Sequence, residues 1–476
     1  MVLNLNRSAS AAAPMHAQIY RSLREGILSG GLAAGSRLPS TRTLADDLSV
    51  SRNTAEEAFA QLEAEGFVMR KVGDGTYVAA AIRRTGGRRA HASISRALSA
   101  RGRAIAREAA CDEPEELKPF NAGAAEVREF PFETWHRVLS RRSRKSGRAI
   151  LGYIDPAGYL PLREAVASYL NVSRDVRCDA GQVLIVTSSQ QALDLCSRLL
   201  LDPGDQVWME NPAYPGARAA FAGAGATLVP VGVDEHGLDV EAGVRAAPDA
   251  RLAYVTPSHQ YPLGVTMSLK RRLALLRWAG PSRAWIIEDD YDSEFRYDGR
   301  PLAAIQGLVD DARVIYAGTF SKVMFPSIRI AYLVVPGTLV DAFARARAQL
   351  DGHNTALMQA ALADFIANGY FVAHVRRMRA LYRARRDLMV SSIARDLGGA
   401  LTLGPADSGF NVAARLTGKQ NENEVVRHAA DRGIDLRPLS RFALAPIPDR
   451  GFLLGYAALA PPTIRRAIAE LGRVLG

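Results

Sequence analysis

Cysteine is scarce: three residues in a chain of 476, Cys111, Cys178 and Cys196, in no CxxC spacing. That argues against a disulfide framework and a thiolate zinc site, and inert thiols are expected. Long apolar runs are absent as well. No stretch approaches the roughly 20 apolar residues that span a bilayer. Met1–Ser10 is polar and lacks the apolar core of a secretory leader. A cytoplasmic protein with no membrane partner is therefore expected. No histidine falls at ligand spacing beside the acidic clusters, so no metal is expected. What remains is ordinary globular composition, 48% hydrophobic and 23% charged, in a chain long enough for two or three full cores. The net charge is +11, and Met1–Arg107 holds 16 Lys/Arg against 8 Asp/Glu. A basic excess on one small segment is the footprint of a phosphate-backbone partner, although basic surfaces also occur on proteins that bind no nucleic acid.

The first segment, residues 10–79, reads as helix, short helix, tight turn, helix and hairpin. His16–Ser29 carries Ile19, Leu23 and Ile27 on one helical face. Pro39 breaks helix, and Ser40 or Thr41 caps the next one. Ser49-Val50-Ser51 turns the chain, and Ser51 caps a longer helix through Ala55, Phe59 and Leu62. Phe67–Val78 then forms two short strands around a glycine turn. This is a winged helix-turn-helix. Its third helix presents Ser51, Arg52, Asn53 and Thr54 at the end where a recognition helix meets base edges. Arg suits guanine and Asn suits adenine. Ser40, Thr41 and Arg42 are placed to hold phosphates, and Gly73 and Gly75 allow a tight wing. Residues 80–118 are basic and glycine-containing (Arg83, Arg84, Arg88, Arg89) and read as a flexible linker with transient helix around Ile94 and Leu98.

From residue 119 to 476, buried strands alternate with helices, the pattern of a mostly parallel α/β sheet. The predicted strands are 183–186, 206–209, 227–231, 252–255, 285–288, 313–316 and 330–334, with a smaller α/β part after about residue 340. Polar residues cluster just past the strand ends, where sites of such sheets form. Thr187–Leu193 is an anion cup at a helix start. Tyr214 stands at the sheet mouth, Thr256–Gly264 is a rigid polar loop, and Asp289–Glu294 places carboxylates where they must be paired. Lys322 lies between two buried strands, either as an edge amine reaching water or as an amine held for chemistry. Pyridoxal 5'-phosphate uses all these parts together. Lys322 would form the internal aldimine and Asp289 would pair with the pyridinium. Tyr291 and Gln260 would donate to the phenolate, and Tyr214 would stack. Ser189, Gln190, Thr319, Ser321 and Arg329 would hold the phosphate. His259 reads as a neighbour of the site rather than a catalyst.

Leu38–Arg42, Val50–Thr54, Leu62–Phe67 and Gly73–Val78 resemble the GntR-type DNA-binding domain along its whole length. The motifs around Arg218, Gln260, Asp289–Phe295 and Thr319–Lys322 resemble, in the same order, those of fold-type-I aminotransferases. Together they resemble the MocR (GabR-like) regulators over nearly the full chain. The resemblance implies a homodimer with two winged helices, a repeated or palindromic double-stranded DNA operator, and a small amine or amino-acid effector, or the cofactor itself, sensed through Lys322. There is one departure. Amino-acid-processing relatives clamp the substrate carboxylate with an arginine in the last strand, and here Gly451–Tyr456 offers leucines. Arg218, Arg437 and Arg441 are the substitutes. Two other readings stay open: a working aminotransferase with a fused DNA-binding domain, and an empty dimerisation scaffold.

Overall fold

The computed structural model describes residues 13–80, 98–107, 117–299, 302–310 and 313–476. They fall into two compact units, one within Met1–Ala97 and the other within Leu98–Gly476.

In the first unit α1 (Met15–Ser29), α2 (Thr41–Leu48) and α3 (Arg52–Ala64) precede a hairpin of β1 (Val68–Lys71) and β2 (Gly75–Val78). Ile19, Leu23, Ile27, Leu44, Phe59, Leu62, Val68 and Val78 form its core. The tight turn is set by Ser49, whose backbone is left-handed (φ 49°) and whose N–H bonds Ala45 O and Asp46 O. Ser40 rather than Thr41 caps α2, accepting from the Thr43 N–H at 3.1 Å. Ser51 caps α3 in the same way, accepting from the Thr54 N–H. The hairpin pairs Val68 with Val78 and Lys71 with Gly75.

The second unit is built on an eight-stranded sheet in the order β3-β10-β9-β8-β7-β4-β5-β6. Its strands are β3 (Val183–Val186), β4 (Gln206–Asn211), β5 (Thr227–Asp234), β6 (Gly237–Leu238), β7 (Leu252–Val255), β8 (Trp285–Asp290), β9 (Val314–Thr319) and β10 (Ala331–Val334). The five central strands β5, β4, β7, β8 and β9 run parallel. β10 runs antiparallel to both β9 and β3. The reason is chain length: residues 320–330 hold only a 3-10 turn, Pro326–Ile328, and no helix with which to cross over. All six residues of β8 and of β9 are buried, so the strands that carry the site lie at the centre of the layer. A four-stranded antiparallel sheet, β11 (Leu401–Leu403), β12 (Asn411–Leu416), β14 (Gly451–Gly455) and β13 (Arg437–Pro438), forms the smaller part. The helices Tyr370–Leu397 and Pro461–Leu475 pack on each other beside it.

Part of the expected linker belongs to this unit. Ala100–Arg107 is helical. The Arg101 Nε donates to Gly223 O at 2.6 Å, satisfying a carbonyl at the C-terminal end of the helix Pro215–Ala224. Ile105 lies against Gly223, where an added Cβ would sit 3.2 Å from its side chain. Residues 81–97 of the linker, with Arg83, Arg84, Arg88, Arg89 and Ile94, and residues 108–116 lie outside the described residues. So do Cys111 and Met1–Ser10.

Candidate functional site

The parallel strands end on one cavity of about 940 Å³. Its walls include the loops after β3, β4, β7, β8 and β9, the helices Ala100–Arg107 and Pro215–Ala224, and the segment that enters β12. Lys322 follows β9 and lines it; the Nζ donates to Gly123 O at 2.9 Å. Gly123 has a left-handed backbone (φ 80°), and its N–H donates to the Asn411 side chain at 2.7 Å. The amine is thus held at the junction of the large sheet and the small one.

Asp289, near the end of β8, also lines the cavity and is 4% exposed. One carboxylate oxygen accepts from the Tyr254 hydroxyl at 2.7 Å, and the other has no partner among the described residues. Burial pushes this carboxyl up to about 7. A buried, half-satisfied carboxylate is costly unless a cation meets it. The neighbouring acids are already satisfied. Glu288 accepts from the Ile305 and Gln306 N–H groups, Asp290 pairs with Arg174 at 2.6 Å, and Asp292 pairs with His259 at 2.9 Å. Burial alone would lower the His259 pKa, but the Asp292 carboxylate overrides it and the value rises. The Tyr291 hydroxyl lies 3.1 Å from His259 Nδ1.

The anion cup takes shape at the start of the helix Ser189–Leu200. Ser188 caps it, accepting from the Gln191 N–H, so the free N–H groups of the first turn open toward the cavity. Ser189, Gln190, Thr319, Ser321 and Arg329 line the same space, and the Ser321 hydroxyl and Gln190 Oε1 are buried without partners among the described residues. Arg329 has a left-handed backbone (φ 49°), held by the Asn354 amide, which donates to its carbonyl at 2.9 Å. Tyr214 lines the wall beside the cup. Gly216 lies under it, since a Cβ there would sit 2.4 Å from the Tyr214 ring and 2.5 Å from Gln190 Oε1.

Gln260 is a correction. It is 1% exposed and does not line the cavity. Its amide is spent on Glu210, Pro212 O and Tyr261 O, and its oxygen accepts from the Leu263 N–H. The next residue, Tyr261, faces the cavity instead, edge-on to Tyr214 and Tyr291 with ring centres 5.9 and 5.8 Å away. The sequence reading also missed Tyr254, Gly123 and Asn411. Tyr254 was the legible one, because a hydroxyl inside a buried strand needs a partner. Arg437 and Arg441 line the cavity; Arg218 does not, and its guanidinium reaches Ala443 O at 3.5 Å. Leu453 and Leu454 are buried in β14, and Leu453 pairs directly with Arg437 on β13.

In the first unit, Arg52 and Asn53 are exposed at the start of α3, with Thr54 half-buried behind them. The Ser40 and Ser51 hydroxyls are engaged in capping. Thr41 and Arg42 begin α2. Gly73 (φ 78°) makes the wing turn, and Gly75 accommodates Arg37, whose Nε would lie 2.8 Å from a Cβ there. Arg70 on β1 bonds Glu56 and Glu63 of α3, which ties the wing to the helix.

The unpaired Asp289 oxygen, the unpaired Ser321 hydroxyl and the amine of Lys322 on one cavity fit pyridoxal 5'-phosphate. Fold and site define the class: a winged helix-turn-helix joined to a fold-type-I aminotransferase domain that takes this cofactor. Residues 15–78 match the bacterial regulatory proteins of the gntR family, and residues 120–471 match aminotransferase class I and II. The chain is 43% identical over 475 residues to the probable rhizopine catabolism regulatory protein MocR of Rhizobium meliloti, covering 99% of this chain and 95% of that one. It is 30% identical to the pyridoxine biosynthesis transcriptional regulator PdxR of Corynebacterium glutamicum, covering 99% and 97%. Among solved structures it is similar to LysN, the alpha-aminoadipate aminotransferase of Thermus thermophilus, with 28% identity, a TM-score of 0.73, and 80% and 98% of the two chains covered. The chain belongs to the MocR regulators of the GntR family and is a pyridoxal-phosphate-dependent transcription regulator.

Proposed function

We propose that a small amine or amino acid enters the cavity, takes the place of Lys322 on the cofactor, and so changes how the DNA-binding head (residues 10–79) is presented by the effector domain (119–476) across the linker (80–118). The observation that carries this reading is the Lys322 amine, held by Gly123 O on a cavity that also contains the unpaired Asp289 oxygen. When bound, pyridoxal phosphate supplies an aldehyde that condenses with amines and a ring that draws electrons from them. The chain's own residues do the rest. Asp289 would keep a proton on the ring nitrogen, because a buried carboxylate favours a cation beside it. Tyr291 would donate toward the phenolate, and Tyr214 would lie against the ring. Ser189, Gln190, Thr319, Ser321 and Arg329, with the helix N–H groups, would hold the phosphate. Gly123 O would receive the Lys322 amine once it is displaced. Arg437 and Arg441 would meet the effector, with Arg218 behind them.

A cytoplasmic homodimer with two heads on a repeated operator belongs to the same reading. Phe132, Leu151, Tyr153 and Leu160 are exposed on the second unit, Tyr153 at 98%, as surfaces covered by a second copy are. Arg52 and Asn53 would read bases. The test is a titration of candidate amines followed at once by the visible absorbance of the cofactor and by operator binding. Both should respond in the parent protein and neither in Lys322→Ala. An amine that changes absorbance in the parent but leaves operator binding untouched would sink the reading. Steady keto-acid production would favour the aminotransferase reading.

A further inference from the structure

Behind the cofactor cavity lies a second, much smaller one, lined by Arg174, Ser258, His259, Ser293, Arg296 and Ser408, among others. It holds about 10 Å³, room for one water. Three side chains on this wall have buried polar atoms without a partner among the described residues: His259 Nε2, Arg296 Nη1 and Ser408 Oγ. His259 and Ser408 are 5% and 1% exposed. A buried polar atom is costly if nothing meets it, and three of them around one water-sized space point to a single ligand that serves all three.

Charge decides its nature. Both arginines on the wall are already paired, Arg174 with Asp290 and Arg296 with Asp407 at 2.9 Å, and His259 is bonded to Asp292. An anion would enter a wall with no excess of positive charge. The arginine offers a donor, and the serine either donates or accepts. The imidazole nitrogen does one or the other by tautomer. Only a small neutral molecule with two donors and two acceptors suits them together.

We infer that this chamber is a binding site for one ordered water, and that the water fastens the loop of His259 to the paired segments 295–297 and 407–409. Those segments are joined by Tyr297 N–H to Asp407 O and Gly409 N–H to Phe295 O. The His259 loop also carries Tyr261, His259 itself touches Tyr291, and segment 407–409 leads into Phe410 and Asn411. Tyr261, Tyr291, Phe410 and Asn411 all line the cofactor cavity. The water therefore braces three walls of that cavity from behind, and Ser408 is a positioning residue for it.

The test uses the full-length protein loaded with pyridoxal phosphate. A high-resolution crystal structure should show one density peak within hydrogen-bond distance of His259 Nε2, Arg296 Nη1 and Ser408 Oγ. Crystals grown with bromide should show no anomalous signal there. Ser408→Ala leaves the backbone pairing intact, so it should fold. It should weaken or abolish the peak and release pyridoxal phosphate about two- to tenfold faster, as expected for one lost hydrogen bond. An empty chamber, a bromide signal, or a release rate unchanged in Ser408→Ala would each overturn the inference.

Discussion

Asp289→Asn should stabilise the cofactor-free effector domain while weakening its hold on the cofactor, and the first effect has a pH signature. In the free protein, burial lifts the Asp289 carboxyl from its ordinary 3.8 to about 7. An acid whose folded value lies above its unfolded one binds more protons when folded. Stability therefore falls as pH rises between the two values, and the whole cost is present above the higher. At roughly 1.4 kcal/mol per pH unit, ionised Asp289 costs about 4 kcal/mol. Asparagine keeps an oxygen for the Tyr254 hydroxyl and has no charge to bury. Its stability advantage over the parent should grow by about 2–3 kcal/mol between pH 5 and pH 8. Burial also pushes Glu210 up to about 7, so both proteins carry that further pH dependence and the difference between them is the quantity to read. Urea unfolding of the cofactor-free proteins at several pH values measures it. With cofactor present the sign reverses: the parent carboxylate meets a ring cation and should bind at least about tenfold more tightly than the amide. A stability difference that stays flat from acid to alkaline pH would refute the account of Asp289 as a strained carboxylate that a cation relieves.

Two further outcomes bear on the DNA head and the linker. Arg52→Ala should weaken binding to a selected operator by about 1–3 kcal/mol and to random DNA much less; equal losses on the two would make Arg52 a phosphate contact and not a base reader. Ile105→Glu should loosen the helix Ala100–Arg107 from Gly223 and speed amide hydrogen exchange across it about five- to tenfold, since the half-exposed isoleucine contributes only part of a full burial. Unchanged exchange would mean that another contact, such as Arg101 to Gly223 O, holds the helix.

The buried centre of the second unit was legible because its chemistry is repetitive. β8 and β9 are runs of residues buried on both faces, and such runs read as strands with no help from neighbours. The head was legible for another reason: Ser40 and Ser51 each precede a helix that they cap, and capping is a local event within three residues. What the sequence hid is longer in range. β10 turns antiparallel because of the chain length available between it and β9, which apolar pattern does not record. The helix Ala100–Arg107 depends on Gly223, more than a hundred residues away, so its basic, small-residue sequence reads as a tether.

The exchange of Gln260 for Tyr261 shows the limit within the site. Both stand in one polar loop, both carry a donor, and residue type alone favours the amide for a phenolate. The deciding group is Glu210, a buried carboxylate on the neighbouring strand β4. It already accepts from the Thr256 hydroxyl and N–H, and it draws the Gln260 amide inward. Once that amide turns into the protein, the adjacent side chain is left to face the cavity. A one-residue assignment in this loop is thus fixed by a charge whose position only the sheet order reveals. The contacts that place Asp289 and Lys322 have the same character, one through Tyr254 on β7 and the other through Gly123 on the segment beside the small sheet. For those two residues the sequence reading and the structure agree on one point: both line the cavity.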